Sequence, residues 1–187
     1  MTSQAPSGRS FHVQLCGVLF ALLAAALLPA CGIARSLNGG LFALPDAAGR
    51  ASVGGIVAGH IGFGSTAYLG IDGTVRVTDA YAHGALGAHL SYLSQRAPVG
   101  PYARVGFAPL GVSARDSNIW YAMDTSLEVG VEIPVGPQTH TTGFFSRTDV
   151  GQALTVGLRG DLEYRPAQDF TDYFVSLVVG YHDYNLR

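Results

Sequence analysis

The chain has 187 residues, of which 13% are Asp, Glu, Lys or Arg, about half the usual share. All 11 basic residues are arginine, the formal net charge is −2, hydrophobic residues make up 48%, and there are 25 glycines. This balance excludes a basic nucleic-acid-binding protein, which needs clustered Lys and Arg, and it argues against disorder, which needs low hydrophobicity and high net charge. A globular or membrane protein with unusually few charges remains.

The N-terminal segment is predicted to be a secretory signal rather than part of the fold. Residues 1–14 carry a single charge, Arg9, and an uncharged run of 14 residues from Leu15 to Leu28 follows them. A membrane-spanning helix needs about 20 apolar residues, so this run fits the hydrophobic region of a signal peptide instead. We therefore expect residues 1–30 to be a signal peptide that is removed.

The run ends in Leu28-Pro29-Ala30-Cys31, which resembles the lipobox of bacterial lipoproteins. This resemblance implies that Cys31 becomes the mature N-terminus and carries a diacylglyceryl thioether, with acyl chains such as palmitate anchoring it in lipid. In diderm lipoproteins an Asp after the cysteine often causes retention at the inner membrane. Gly32 stands there, so transfer to the outer membrane is implied. The alternatives are an ordinary signal peptide cut elsewhere and an uncleaved anchor.

Neither cysteine, nor the segment after the lipobox, is expected to belong to the folded domain. Cys16 lies in the removed segment and Cys31 is consumed by lipid, so we expect no disulfide in the mature chain. Residues 31–50 show no clean period and contain chain breakers such as Pro45-Asp46. We predict a lipidated N-terminus and linker over 31–50 and one domain over 51–187.

From residue 51 onward, apolar and polar residues alternate with a period of two, the pattern of β-strands. The alternation is clearest in 66–78, 121–133, 153–165 and 172–182, and weaker in 51–61, 80–93 and 100–112. A short candidate, Thr139–Arg147, lies between two turn sequences. These eight segments predict an all-β fold, a single antiparallel up-and-down barrel, because closure removes exposed strand edges.

The face that points outward distinguishes two kinds of barrel. In a soluble barrel the apolar face points inward, and in a transmembrane barrel it points outward. Strands of about 11–13 residues are long enough to cross a bilayer at a tilt. Aromatic residues near strand ends are typical of interfacial girdles, and the candidates are Tyr81, Tyr92, Tyr102, Trp120, Tyr121, Tyr164, Tyr173 and Tyr181. We predict an outer-membrane barrel, and the alternative is a lipid-tethered soluble barrel that binds an apolar ligand inside.

The charged residues of the polar faces are predicted to meet inside the barrel. The lumen of an eight-stranded barrel is just wide enough for side chains, and charges buried there must be paired. The predicted lumen ion network consists of Asp72, Arg76, Arg104, Asp124, Glu128, Glu132, Arg159, Asp161 and Glu163. The other interpretation of these residues is a solvated outer face with incidental ion pairs.

Motifs for catalysis and for metal or cofactor binding are weak. The segment Gly62–Ala67 matches the letters of a dinucleotide fingerprint, but it opens a strand rather than the helix that phosphate binding requires. His83 and His89 lie about 20 Å apart on one strand, so they cannot share a metal. His89 and Ser91 can share a face, yet no third catalytic group and no G-x-S-x-G motif accompany them. We expect no catalytic site, no metal and no cofactor.

As a whole, the sequence predicts an outer-membrane lipoprotein of a diderm bacterium with a narrow, ion-plugged barrel and a structural, binding or accessory role in the envelope. Its expected partners are membrane lipids, contacted through the Cys31 acyl chains and through the apolar face of the barrel. Nucleic acid is not an expected partner, and the sequence names no protein partner. A third hypothesis is an outer-membrane enzyme that acts on lipids.

Overall fold

The computed structural model describes residues 32–45, 51–64, 67–93, 99–115, 118–136, 141–142, 147–148 and 151–185. The strands are β1 (Gly32–Pro45), β2 (Ala51–Gly64), β3 (Ala67–Val77), β4 (Tyr81–Leu93), β5 (Gly100–Arg115), β6 (Asn118–Pro134), β7 (Thr141–Thr142), β8 (Arg147–Thr148), β9 (Gln152–Arg165) and β10 (Phe170–Asn185). None of the described residues belongs to a helix long and apolar enough to span a membrane. The predicted signal peptide, residues 1–30, and Cys31 lie outside the described residues.

Eight of these strands close into one antiparallel barrel in the order β1-β10-β9-β6-β5-β4-β3-β2. Each strand pairs with the next barrel strand along the chain, and β1 closes the barrel by pairing with β10 from Ile33↔Asn185 to Ala43↔Val175. The predicted all-β, up-and-down barrel is confirmed. We call the end where β1 begins and β10 finishes the terminal end, and the opposite end the distal end.

The linker predicted over residues 31–50 is wrong for most of its length. Gly32–Pro45 is the first barrel strand, paired on one side with β2 and on the other with β10. Its inward positions Asn38 and Phe42 are buried, and its outward Leu37 and Leu41 are exposed. Glycines on both faces hide this alternation in the sequence. The barrel domain therefore begins at Gly32 and not at residue 51.

The predicted sixth strand, Thr139–Arg147, is not part of the barrel. Its described residues contribute only to the short β7–β8 pair, which forms a separate two-stranded sheet. Strand β6 instead pairs directly with β9, from Met123↔Tyr164 to Pro134↔Ala153. Thr142 pairs with Arg147, five positions further along the chain, so this segment pairs with itself and not with a barrel strand. The predicted number of strands is right because β1 takes the place of this segment.

Successive side chains alternate between the lumen and the outer surface. Arg76 is 0% exposed and its neighbour Val75 is 53% exposed; Arg159 is 2% exposed and its neighbour Leu158 is 56% exposed. The faces predicted for 66–78, 121–133, 153–165 and 172–182 are confirmed. Most buried lumen side chains are polar or charged, two apolar clusters lie among them, and apolar side chains form the outer surface.

Strand β5 contains a bulge that explains its weak alternation in the sequence. Its register against β6 shifts between Ala108 and Gly111, so both residues point inward although they lie three positions apart. Pro109 stands in this bulge, where its missing N–H leaves no gap in the ladder. The Tyr121 hydroxyl donates a hydrogen bond to the Pro109 carbonyl. On both sides of the bulge, every second side chain of β5 therefore points into the lumen.

The closure of β1 against β10 can be tested at Gly40. A Cβ on Gly40 would lie 3.0 Å from Val178 Cα and closer still to the Leu177 backbone. We expect Gly40→Val to lower the folded fraction in detergent, with an overpacking cost of about 1–3 kcal/mol or more. The measurement is the fraction of protein that migrates as the folded band on gels, compared with the heat-denatured band.

Gly39→Val is the matched control for this test. A Cβ on Gly39 points outward and meets only the Ile56 carbonyl at 3.9 Å, so this variant should fold as the parent does. Equal folding of the two variants would show that β1 does not close the barrel.

Candidate functional site: the charged lumen

Every residue of the predicted ion network lies on an inward face and is at most 4% exposed. The solvated outer face is therefore excluded for these residues. Most of them belong to two groups of contacts, one in the distal half of the lumen and one in the terminal half. Glu132 and Asp72 lie outside the arginine contacts of both groups.

Arg76 organises the distal group. Its Nη2 lies 2.8 Å from Asp124 Oδ2 and 3.2 Å from Glu163 Oε2, and its Nη1 lies 3.2 Å from Asp161 Oδ1. Asp124 and Glu163 are direct cross-strand neighbours on β6 and β9. Like charges in such a pair repel each other, and Arg76 reaches across the lumen from β3 to neutralise them.

His83 joins the same two carboxylates from β4. Its Nε2 lies 2.8 Å from Asp124 Oδ2, and its Nδ1 lies 2.8 Å from Ser113 Oγ and 3.3 Å from Glu163 Oε2. The Ser113 hydroxyl donates to Glu163 Oε1 at 2.5 Å, and the Tyr81 hydroxyl donates to Glu163 Oε2. Glu163 is therefore surrounded by donors from several strands.

Arg165 closes the distal mouth, although the predicted network did not include it. Its Nε donates to Glu163 at 2.7 Å and its Nη2 to Asp172 at 2.7 Å. Its guanidinium lies 5.2 Å from the centre of the Trp120 ring and 5.5 Å from that of Phe170. Because Arg165 and Asp172 stand on the polar faces of 153–165 and 172–182, the same alternation contained the signal that finds them.

Glu128 organises the terminal group. It accepts hydrogen bonds from Asn38 Nδ2 at 2.6 Å, Tyr102 Oη at 3.0 Å and Arg104 Nη1 at 3.3 Å, and Arg159 Nη1 lies 3.6 Å from it. These partners come from β1, β5 and β9, so Glu128 ties opposite walls of the barrel. Arg104 and Glu128 are cross-strand neighbours in the register.

Arg159 and Arg104 extend the terminal group of contacts to further residues that line the lumen. Arg159 Nε donates to Asp161 Oδ1 at 2.9 Å and its Nη2 to Thr74 Oγ1 at 2.9 Å. Arg104 donates through Nε to Ser91 Oγ at 3.1 Å. Hydroxyl groups thus complete the donor sets where carboxylates do not reach.

Two predicted network residues have other partners. Glu132 contacts His182, whose Nδ1 lies 2.6 Å away, and accepts a hydrogen bond from the Tyr184 hydroxyl. Asp72 is buried, but no ion pair joins it to an arginine in the described part of the chain, and its Oδ1 has no hydrogen-bond partner there. Alternation along the strands predicted the correct face for both residues, but it did not predict their partners.

The predicted aromatic girdle is wrong for two of its members. Tyr81 and Tyr102 point inward and are 3% and 2% exposed, because their hydroxyls donate to Glu163 and Glu128. The Tyr102 ring lies against Gly157 and against the glycine that pairs with Gly157 on β6. A Cβ on either glycine would clash with the ring. The remaining predicted girdle residues are exposed or half-buried: Tyr92, Trp120, Tyr121, Tyr164, Tyr173 and Tyr181.

The outer surface of the barrel is an apolar belt. We use this name for the exposed outward residues of the eight strands, among them Leu37, Leu41, Val57, Ile71, Val75, Leu86, Leu90, Val105, Val129, Leu158, Val175 and Leu177. Exposed charges flank it, with Arg35 near the terminal end and Asp79 and Asp169 in the distal turns. A soluble carrier of an apolar ligand needs the opposite arrangement, with apolar residues inside.

The donor atoms of His83, Asp124 and Glu163 lie within 4.8 Å of one another. These donor types suit zinc. However, Arg76 Nη2 already lies 2.8 Å from Asp124 and 3.2 Å from Glu163, and a metal ion beside that guanidinium would be repelled. The side-chain set therefore fits an internal ion pair better than a metal centre.

Ser113, His83 and Asp124 also form a hydrogen-bonded chain with the residue types of a serine hydrolase. Ser113 is 0% exposed, and its hydroxyl donates to Glu163 Oε1. A nucleophile needs access to substrate and a base that accepts its proton. The candidate pair His89 and Ser91 is buried as well, with Ser91 accepting a hydrogen bond from Arg104.

Neither family models nor curated sequences match this chain. Among solved structures, it is similar to the crystal structure of Neisserial surface protein A (NspA), with a TM-score of 0.59 and 13% sequence identity. The match covers 81% of this chain and 96% of that one. At this identity the similarity concerns the fold, and it agrees with the closed eight-stranded barrel described above.

Removal of the Glu128 carboxylate tests the terminal group of contacts. Glu128→Leu leaves Arg104 without its ion-pair partner in a buried site, so we expect a loss of about 3–5 kcal/mol in the free energy of unfolding. The measurement is urea unfolding in phospholipid vesicles, followed by tryptophan and tyrosine fluorescence.

Asp79→Leu serves as the control, because it removes an exposed carboxylate from a distal turn. Its effect should stay within about 0.5 kcal/mol. Similar small losses for both variants would show that Glu128 carries no buried ion pair.

Proposed function

We propose that this protein is an outer-membrane lipoprotein of a diderm bacterium whose barrel crosses the bilayer and serves a structural or accessory role in the envelope. The observation that carries this proposal is the distribution of side chains: an apolar belt outside and charged residues inside. In water this belt would be a very large exposed apolar surface, which soluble monomers avoid. In lipid it is the favoured arrangement.

The dimensions of the barrel support the same proposal. Its strands contain 11 to 17 residues. At about 3.3 Å per residue and a tilt of about 40°, 11 residues span roughly 25–30 Å, the height of the apolar band of an outer-membrane barrel. The solved structure with a similar fold is named as a surface protein, which is compatible with an envelope location here.

We further propose that the barrel is plugged by its ion pairs and is not a porin. Arg76 on β3 contacts carboxylates of β6 and β9, and Asn38 on β1 contacts Glu128 on β6. These contacts join opposite walls, so they occupy the path that an ion or solute would take. Charged side chains in the lumen also argue against an apolar ligand there.

A structural or binding role is favoured over catalysis. In the described part of the chain, the hydroxyl and imidazole groups that resemble catalytic residues, those of Ser113, His83, His89 and Ser91, are all buried. All of them except His89 are bonded to charged neighbours. An enzyme that acts on membrane lipids needs such groups at the lipid-facing surface or at an open mouth. We therefore propose that this protein is not an enzyme.

The lipid anchor completes the proposal. The lipobox Leu28-Pro29-Ala30-Cys31 ends immediately before Gly32, the first residue of β1. A lipidated Cys31 would place its acyl chains in the leaflet next to the terminal end of the barrel. The anchor and the apolar belt would then enter the same membrane.

A charge placed in the middle of the apolar belt tests the membrane-spanning proposal. Val129 is 46% exposed on β6 and pairs with Leu158 near mid-strand. We expect Val129→Arg to cost about 2–4 kcal/mol in the free energy of folding into phospholipid vesicles. The control is Ile119→Arg, at the distal end of β6, where the cost should be about 0–1 kcal/mol.

Two results would contradict this proposal. One is an equal cost for both arginine variants. The other is a soluble, monodisperse barrel without detergent once lipidation is prevented.

Lipidation is tested separately at Cys31. Wild-type protein expressed in a diderm host should incorporate radiolabelled palmitate and release from outer-membrane fractions only with detergent. Cys31→Ala should lose the label, and its barrel should still fold. Cys16→Ala is the control and should keep the label, because Cys16 lies in the segment removed with the signal. Absence of label in the wild type would favour an ordinary signal peptide.

A further inference from the structure

The outer wall of the barrel carries an open groove in its distal half, where β6, β9 and β10 lie side by side. Its volume is about 490 Å³, far larger than the roughly 30 Å³ of liquid volume that belongs to one water molecule. The outward residues that line it are uncharged, among them Leu127, Gly160, Leu162, Tyr173 and Val175. The groove therefore belongs to the apolar belt and has room for a chain of atoms.

The strand register explains why the groove lies at this place. Gly160 pairs with Leu127 on β6 and with Val175 on β10, so a residue without a side chain stands between two residues with branched ones. A Cβ on Gly160 would meet, among the described residues, only the Leu127 carbonyl oxygen, at 4.0 Å. In the next row toward the distal end, Leu162 pairs with Tyr173, which is 69% exposed. The missing side chain thus opens the belt down to the backbone between protruding neighbours.

We propose that this groove holds one acyl chain of a membrane phospholipid from the leaflet at the distal end. The proposal rests on the membrane-spanning barrel proposed above, because only then does the apolar belt face acyl chains. The outside of a barrel is convex, so a chain elsewhere on the belt is contacted from one side only. In the groove a chain contacts the floor and both walls, and each additional atomic contact contributes dispersion energy. In lipid, where apolar burial gives no driving force, such close packing distinguishes one site from another.

The lipid anchor proposed at Cys31 does not reach this groove. Val175 lies ten residues from Asn185, the β10 residue that pairs with Ile33 at the terminal end. Ten residues of strand extend about 33 Å, whereas an acyl chain spans about half of the hydrocarbon core, or about 15 Å. Acyl chains on Cys31 would therefore end in the leaflet beside the terminal end. The occupant of the groove must come from the free lipids of the opposite leaflet.

The test counts the phospholipid that stays with the barrel after the bilayer is removed. The full chain is folded into vesicles of phosphatidylethanolamine and phosphatidylglycerol, transferred to a mild detergent and weighed by native mass spectrometry. We expect one phospholipid to remain on the barrel after the other lipids have exchanged for detergent. Crystals of this preparation should show tubular density over Gly160, between Leu127 and Tyr173.

Substitutions that fill the groove localise the bound lipid. Gly160→Leu fills it from the floor, and we expect this variant to fold as the parent does, since its Cβ meets no atom closer than 4.0 Å, but to lose the retained phospholipid. Thr125→Leu narrows the same groove from β6 and should act in the same direction. Gly84→Leu is the matched control, because Gly84 is an exposed glycine of β4 with open space at its Cβ position and does not line the groove. It should keep the lipid.

Three outcomes would overturn the proposal while leaving the membrane-spanning barrel intact. The first is a parent protein that needs detergent but retains no phospholipid. The second is equal lipid retention in Gly160→Leu and Gly84→Leu. The third is a lipid-free dimer of the parent that Gly160→Leu converts to a monomer, which would assign the groove to a second copy of the chain. A barrel that is soluble without detergent would contradict both proposals, so solubility separates the two kinds of failure.

Discussion

The contacts of Arg76 are those on which the rest of the structure most depends. From β3 its guanidinium reaches Asp124 on β6 and Asp161 and Glu163 on β9, strands that are not its neighbours in the barrel. It also lies 4.4 Å from the centre of the Phe174 ring on β10. A buried charge is tolerated only when it is paired and hydrogen-bonded. Because its partners stand on the opposite wall, pairing Arg76 links the two walls across the lumen of a barrel that β1 and β10 close.

Because the buried charges pair with one another inside the barrel, its interior is the reverse of an ordinary globular core. An eight-stranded barrel has a lumen just wide enough for side chains, and here most of the side chains inside it are charged or polar. The apolar residues that would form the core of a soluble protein stand outside. The backbone of each barrel strand is paired on both sides, as a bilayer requires. The low charge content follows too, since charges are needed only in the lumen and at the rims.

The two halves of the lumen differ in how their charges are balanced. In the distal half, Arg76 and Arg165 lie among several carboxylates, and the Tyr81 and Ser113 hydroxyls donate to Glu163. In the terminal half, Arg104 is bonded mainly to hydroxyls and to a histidine. The distal half is therefore an ion cluster rich in carboxylates, whereas Arg104 in the terminal half relies more on hydroxyl and imidazole partners.

Alternation along single strands was enough to determine the fold class and the inward position of every predicted network residue, because the side-chain period of a strand is local. It failed for β1, where glycines on both faces obscure the period, and for Thr139–Arg147, where a short alternating segment forms no barrel strand. Local pattern also misplaced Tyr81 and Tyr102, whose hydroxyls find carboxylates inside.

Only the tertiary structure decided which charges meet. Arg76 and its partners are separated by 48 residues or more along the chain, and their contact depends on barrel closure and on the register of strands that do not adjoin. The same holds for the small cavity beside Arg104 at the terminal end, whose lining residues come from six strands. Sequence determines the face on which a side chain stands, whereas closure and register determine what stands opposite it.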